Sequence, residues 1–157
     1  MRNSFLILVT ALVLTSCASK TSFNSFYSEN RTVSDFSLST SAFFGNLFIP
    51  KEDLGEYKDL FRKVKHYNIM VFSENSIVLD KRFDSFIKRK KYTSIFRINQ
   101  KGEKVQLYFL QQKNVIKEIV LKIKSENDFV FLGLKTNILE SDFNKIMEGS
   151  DINITSN

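Results

Sequence analysis

The single cysteine of the chain is the residue whose position points most directly to chemistry. Cys17 ends the tetrapeptide Leu-Thr-Ser-Cys, which closes an apolar run over residues 5–14 that follows one arginine at position 2. A helix that crosses a bilayer needs about 20 apolar residues, so this shorter run after a basic start is typical of an export signal. One cysteine also excludes a disulfide framework within the chain.

The four residues that end in Cys17 resemble the lipobox of bacterial lipoproteins. This resemblance implies that residues 1–16 are a signal peptide, removed on export, and that Cys17 becomes the new N-terminus with a diacylglycerol on its sulfur. Acyl chains such as palmitate contribute about 0.8 kcal/mol per buried methylene, so two or three of them hold a protein on a membrane. We therefore expect a lipid-anchored protein of the bacterial cell envelope.

Other chemistry-bearing residues form no recognisable catalytic or metal-binding motif. His66 is the only histidine, and the chain contains no glycine-rich phosphate loop, nucleophile elbow or paired CxxC. Six carboxylates are candidates for acid-base catalysis, but none lies in a recognisable motif and we expect them to be surface charges: Asp80, Asp84, Glu118, Asp128, Glu140 and Asp142. The sequence thus favours a protein that is not an enzyme and binds no cofactor.

The densest charge cluster is the run Lys88, Arg89, Lys90 and Lys91. One interpretation is contact with an anionic lipid surface, where each cation contributes about 1 kcal/mol. The alternative is a solvated helix end, because cations there interact favourably with the helix dipole. The net charge of +6 arises from 23 basic and 17 acidic residues that alternate along the chain, and this mixing together with export argues against nucleic acid as a partner.

Hydrophobic periodicity predicts an α+β fold with a largely antiparallel sheet, a C-terminal four-strand meander and helices packed on one face. A flexible tether over 17–32 precedes a single domain over 33–148, and a polar tail follows over 149–157. The predicted strands are 33–40, 67–72, 93–99, 104–111, 115–124 and 128–134, and the predicted helices are 41–49, 51–64, 80–92 and 139–147.

The alternation within the meander predicts which side chains face the core. Leu107, Ile119 and Leu132 are expected to be buried, whereas Gln106 and Lys117 are expected to lie on a solvated face.

The meander and its flanks resemble a family of small lipoproteins from Bacteroidetes-type bacteria, domain of unknown function 4252. The resemblance spans about Phe36 to Met147 and rests on four segments: 92–95, 104–108, 116–121 and 129–139. Family members commonly have a glycine after the last strand, where this chain has Lys-Thr-Asn at 135–137. The resemblance implies a fold and a compartment, and no chemistry.

These observations lead to three functional hypotheses. The first is an interaction module, anchored in the outer membrane and facing the periplasm, that binds an envelope protein or peptide, for example at an exposed edge strand. The second is a carrier or sensor of a hydrophobic envelope molecule, in a cavity lined by Phe43, Phe44 and Phe48 beside Phe129 and Phe131. The third is a hydrolase of envelope polymers, for which the sequence offers carboxylates and no motif.

Overall fold

The computed structural model describes residues 22–45, 58–73, 77–100 and 102–149. The elements in chain order are helix α1 (Ser22–Asn30), strand β1 (Phe36–Ser41), helices α2 (Ala42–Gly45) and α3 (Lys58–Arg62), strand β2 (His66–Phe72), helix α4 (Ile77–Arg89), strands β3 (Thr93–Gln100), β4 (Glu103–Gln112), β5 (Val115–Lys124) and β6 (Phe129–Leu139), and helix α5 (Glu140–Gly149). Several predicted features lie outside the described residues: the predicted signal peptide with Cys17, residues 46–49 of the predicted helix 41–49, residues 51–57 of the predicted helix 51–64, and the tail beyond Gly149.

A six-stranded antiparallel sheet in the order β1-β2-β6-β5-β4-β3 organises the described residues. The short connections after β3, β4 and β5 produce the meander, because two to four residues can join only antiparallel neighbours. This confirms the predicted α+β class with a C-terminal meander. The strand β6 extends to Leu139, so the residues 135–137 lie within it rather than after it.

The first face of the sheet is covered by α1 and α4. Phe23 and Phe26 of α1 and Phe83 and Phe86 of α4 pack with a set of buried side chains from the sheet: Met70, Phe72, Tyr108, Leu110, Val120, Phe129 and Phe131. The rings meet mainly edge to face or tilted, with Phe26 and Phe83 centroids 5.4 Å apart. Such contacts add about 0.5–1.5 kcal/mol each to the area that the aromatic side chains bury.

The second face holds a separate core beneath α5 and beside α3. Phe143 and Met147 of α5 pack with sheet residues Tyr67, Ile119 and Leu134, all of them buried. The helices therefore lie on both faces, and the prediction of helices on one face needs correction. The buried side chains decide the face: those of α1 and α4 belong to the first core, and those of α5 belong to the second.

The predicted tether is wrong for residues 22–30, which form α1. Phe23, Phe26, Tyr27 and Asn30 are 2–5% exposed, and their spacing of i, i+3, i+4 and i+7 is that of a helix face. The aromatic side chains close the core over the first face, so the segment between Cys17 and the domain ends at residue 21. Among the described residues, no helix has the length and apolar character to cross a bilayer.

Candidate functional site

A buried carboxylate joins the N-terminus of α1 to the sheet. Glu118 is 3% exposed; its Oε1 accepts a hydrogen bond from the Ser22 amide at 2.6 Å, and its Oε2 accepts one from the Phe23 amide at 2.8 Å. These amides lack partners within their own helix, and the negative charge also balances the positive end of the helix dipole. The Tyr92 hydroxyl donates to the same carboxylate.

Glu118 was predicted to be a surface charge, and that prediction is wrong. Burial and the Glu118 charge raise the pKa of Tyr92 well above its ordinary value, so the phenol remains a neutral donor to the carboxylate. We call Glu118, Tyr92 and the first two amides of α1 the anchor clamp. The sequence alone gave no signal for it, because a glutamate in an alternating strand is typical of a solvated face.

A second polar cluster joins α4 to β5. Lys122, 3% exposed, donates to Asp80 and, at 3.3 Å, to Asp84, while Lys124 pairs with Asp80 at 2.8 Å. Burial disfavours the Asp80 anion, but the hydrogen bonds and charges of the two lysines outweigh it and hold the pKa of Asp80 below its ordinary value. The Lys122 ammonium also lies 5.1 Å from the Phe83 ring centroid. Every charge in this cluster has a structural partner.

Gln106 is buried on the first face, contrary to the prediction that it is solvated. With its side-chain oxygen turned towards Arg97 and Tyr108, it accepts hydrogen bonds from the guanidinium at 2.8 Å and from the phenol at 2.9 Å. Burial and the nearby charge of Asp84 raise the pKa of Tyr108, against the effect of Arg97. The polar face of the meander is therefore an interior with paired polar groups.

The four residues of the basic run end α4 and are all exposed. The helix closes with Lys91 at φ 59°, and its amide and that of Tyr92 donate to the carbonyls of Lys88 and Ile87, both at 3.1 Å. This pair of hydrogen bonds is a Schellman motif, which fixes the backbone of the run. Within the described part of the chain, no ion pair involves these four cations.

Strand β1 lies at one edge of the sheet and carries no charge. Among the described residues it pairs with β2 only, and its sequence Phe-Ser-Leu-Ser-Thr-Ser contains neither proline nor a charged residue. Phe36 is 52% and Leu38 is 41% exposed. Natural sheets usually protect an edge with charges, proline or a bulge. At the other edge, β3 has a bulge between Ser94 and Phe96 and carries Arg97.

Two apolar rows continue from β1 across the second face of the sheet. Leu38 lies opposite Ile69, and Phe36 lies opposite Val71, in the register of β1 with β2. The rows continue through half-buried side chains, and we call the whole set the apolar rows: Phe36, Leu38, Ile69, Val71, Val105, Leu107, Leu121, Ile123, Val130 and Leu132. Only Phe36 and Leu38 are exposed, and the others are half-buried; a contiguous apolar surface that stays partly exposed can mark an interaction site.

The remaining predicted residues do not form a site. Phe43 is 74% exposed at the Ser41 end of β1, whereas Phe129 and Phe131 are fully buried near the Phe72 end of β2. The predicted cavity between them is therefore wrong; Phe48 and the side chain of Phe44 lie outside the described residues. The described grooves are open, about 500 Å³ each, and lined by charged as well as apolar side chains.

His66 and the other carboxylates have local structural roles. Ser39 Oγ lies 2.8 Å from His66 Nε2, and burial together with the charge of Lys135 lowers the pKa of His66 despite a hydrogen bond with Asn68. Glu140 accepts a hydrogen bond from Gln111, and Asp142 lies 3.9 Å from Lys63. Among the described carboxylates, Asp80 and Asp84 lie together in ion pairs with Lys122, whereas Glu140 and Asp142 contact different partners.

Comparison with known proteins identifies the family of the chain. The family described as a domain of unknown function (DUF4252) matches residues 27–146. The chain belongs to this family. The DUF4252 match begins inside α1, which agrees with the packing of that helix in the core. Neither a curated protein nor a solved structure matches the chain.

Proposed function

We propose that this DUF4252 protein is a lipid-anchored, non-enzymatic interaction module of the bacterial cell envelope, held at the outer membrane and facing the periplasm. The anchor is the acylated Cys17 of the lipobox-like sequence. The partner is an envelope protein or peptide that adds to the open edge of β1 and covers the neighbouring apolar rows.

The uncharged, unprotected edge of β1 is the observation that carries this proposal. An added strand would satisfy the free backbone groups of β1, and its apolar side chains would lie beside Phe36 and Leu38 on the second face. Hydrogen bonds of the backbone then supply affinity, and the apolar rows supply specificity. The polar groups of the first face, by contrast, already have partners within the domain.

The anchor is tested by metabolic labelling with an alkyne fatty acid. We expect the wild-type chain to incorporate the label and Cys17→Ala to lose it, because the sulfur that accepts the lipid is gone. Ser16→Ala is the matched control, since it keeps a small residue before the cysteine and should be labelled like the wild type. Label that persists in Cys17→Ala, or a wild type without label, would contradict the anchor.

The partner surface is tested by photo-crosslinking in the native envelope. A photoreactive residue at Leu38 should give a reproducible protein adduct, and the same residue at Ile77, which is 68% exposed on α4, should not. Adding Phe36→Lys should reduce the Leu38 adduct several-fold, because a partner would have to bury the new charge. Identical adducts from both positions, or none from Leu38, would exclude β1 as the binding edge.

A further inference from the structure

The position of α1 limits how far the lipid anchor on Cys17 can lie from the folded domain. Four residues, 18–21, separate Cys17 from Ser22, so the five residue steps between them span at most ~18 Å. The Ser22 amide is held by Glu118 at 2.6 Å. An anchor on Cys17 therefore places the membrane surface close to the anchor clamp.

The anchor clamp also contains the residue that follows the basic run. Tyr92 donates its hydroxyl to Glu118, and Lys91 precedes it directly in the Schellman turn that ends α4. The N-terminus of α1 and the C-terminus of α4 thus lie at the same end of the molecule. This neighbourhood is not visible in the sequence, where Ser22 and Lys91 are far apart.

Among the described residues, Lys113, exposed in the turn between β4 and β5, adds another cation at the same end of the sheet. Of the described carboxylates at this end, Glu118 is buried in the anchor clamp, Asp142 lies 3.9 Å from Lys63, and Glu140 is exposed beside Gln111. The exposed cations Lys88 to Lys91 and Lys113 outnumber these carboxylates, so the described surface around the anchor point is net positive.

We propose that this end of the domain rests on the anionic phospholipid surface that carries the anchor, with Lys88, Arg89, Lys90 and Lys91 against the headgroup phosphates. The inference rests on the proposed lipid anchor. The acyl chains hold the protein at the bilayer, and the basic run selects one orientation. The opposite end, with the turn between β5 and β6, then points away from the membrane, and the edge of β1 stays uncovered.

The test uses the full-length lipidated protein, reconstituted in vesicles of phosphatidylcholine with or without phosphatidylglycerol. Because acylation consumes the only native thiol, a cysteine introduced by Asn114→Cys or Asn127→Cys accepts a single fluorophore. Asn114 lies in the turn beside Lys113, at the end of the domain that holds the anchor clamp. Asn127 lies in the exposed turn at the opposite end of the domain. A quencher attached to lipid headgroups should quench the label at position 114 far more than that at 127 in anionic vesicles.

Neutralisation of the basic run should remove this difference. At about 1 kcal/mol for each cation, the combined substitutions Lys88→Gln, Arg89→Gln and Lys90→Gln lower the equilibrium constant for the resting orientation on the order of 100-fold. The matched control changes three exposed cations of the other end to glutamine, at Lys81, Arg82 and Lys104, with the same change in net charge. It should leave the quenching pattern intact.

The outcomes separate this inference from the proposed function. Equal quenching at 114 and 127 in protein that is vesicle-bound would overturn the orientation and leave the anchor in place. The role of the basic run would be overturned if the difference in quenching between 114 and 127 were the same without phosphatidylglycerol. It would also be overturned if both triple variants abolished that difference. Protein that fails to incorporate into vesicles at all, and lacks acyl label, would instead reject the anchor itself.

Discussion

Gly133 is the residue that allows α1 to lie directly on the sheet. A Cβ atom at this position would overlap the ring of Phe23, which is 2% exposed. The glycine of β6 therefore provides space for an aromatic side chain, where glycine in a strand interior otherwise weakens the sheet.

Replacement of this glycine by alanine tests that role. We expect Gly133→Ala to lower the free energy of unfolding by about 1–3 kcal/mol, because the methyl group forces Phe23 from its site. Denaturant titration of the full chain measures the loss. Combination with Phe23→Leu should recover part of it, since the two side chains compete for one space. Additive losses would show that the ring is not what excludes the methyl group.

The polar residues of β4 and β5 show what a sequence pattern leaves undecided. Gln106, Glu118 and Lys122 alternate with apolar residues as on a solvated face, yet all three are buried. Each can be buried because it has a specific hydrogen-bond or ion-pair partner. The partners are Arg97 for Gln106, the α1 amides for Glu118, and Asp80 for Lys122. Alternation records which residues share a face, whereas the partners come from segments distant in the chain.

At the scale of elements, α4 is fixed to β5 by the ion pairs of Asp80. Because the folded state lowers the pKa of Asp80, this carboxylate contributes stability at pH values above its unfolded pKa of about 3.9. The contribution is lost as the pH falls through the lower folded pKa.

A pH series of unfolding measurements tests this linkage. We expect Asp80→Asn to be less stable than the wild type at neutral pH and the difference to shrink as the pH falls below about 4. Asp128→Asn, an exposed carboxylate outside these ion pairs, controls for removal of a negative charge as such. A difference between wild type and Asp80→Asn that stays constant down to acidic pH would contradict the assignment.

Some elements follow from local pattern and others do not. The strand β5 was predicted with the observed bounds, 115–124, because its alternation is long and turn residues flank it on both sides. The helix α1 was missed because serine and asparagine between its aromatic residues are typical of a linker, and its helical spacing covers only two turns. Serine is a common helix cap, and Ser141 before the apolar period of 143–147 predicts a helix that starts there; instead α5 begins at Glu140, directly from β6.

At the scale of the molecule, one sheet separates two unlike surfaces. The first face is closed by two helices, with aromatic packing and paired polar groups. The second face is covered near α5 and remains half-open at the apolar rows. Leu107 and Leu132 are predicted to be core residues but are only half-buried there. Their remaining solvent exposure distinguishes the candidate binding surface from an ordinary core.

The anchor clamp also determines the order in which an exported chain can acquire its structure. The hydrogen bonds from α1 to Glu118 join residues 96 and 95 positions apart, so α1 has a high contact order and cannot dock early. If the chain is exported as proposed, α1 emerges from the membrane long before β5 and lacks its carboxylate and its aromatic neighbours until then. In the proposed lipoprotein, the residues around Cys17 would therefore stay accessible to the enzymes that acylate and cleave it until most of the domain has been translocated.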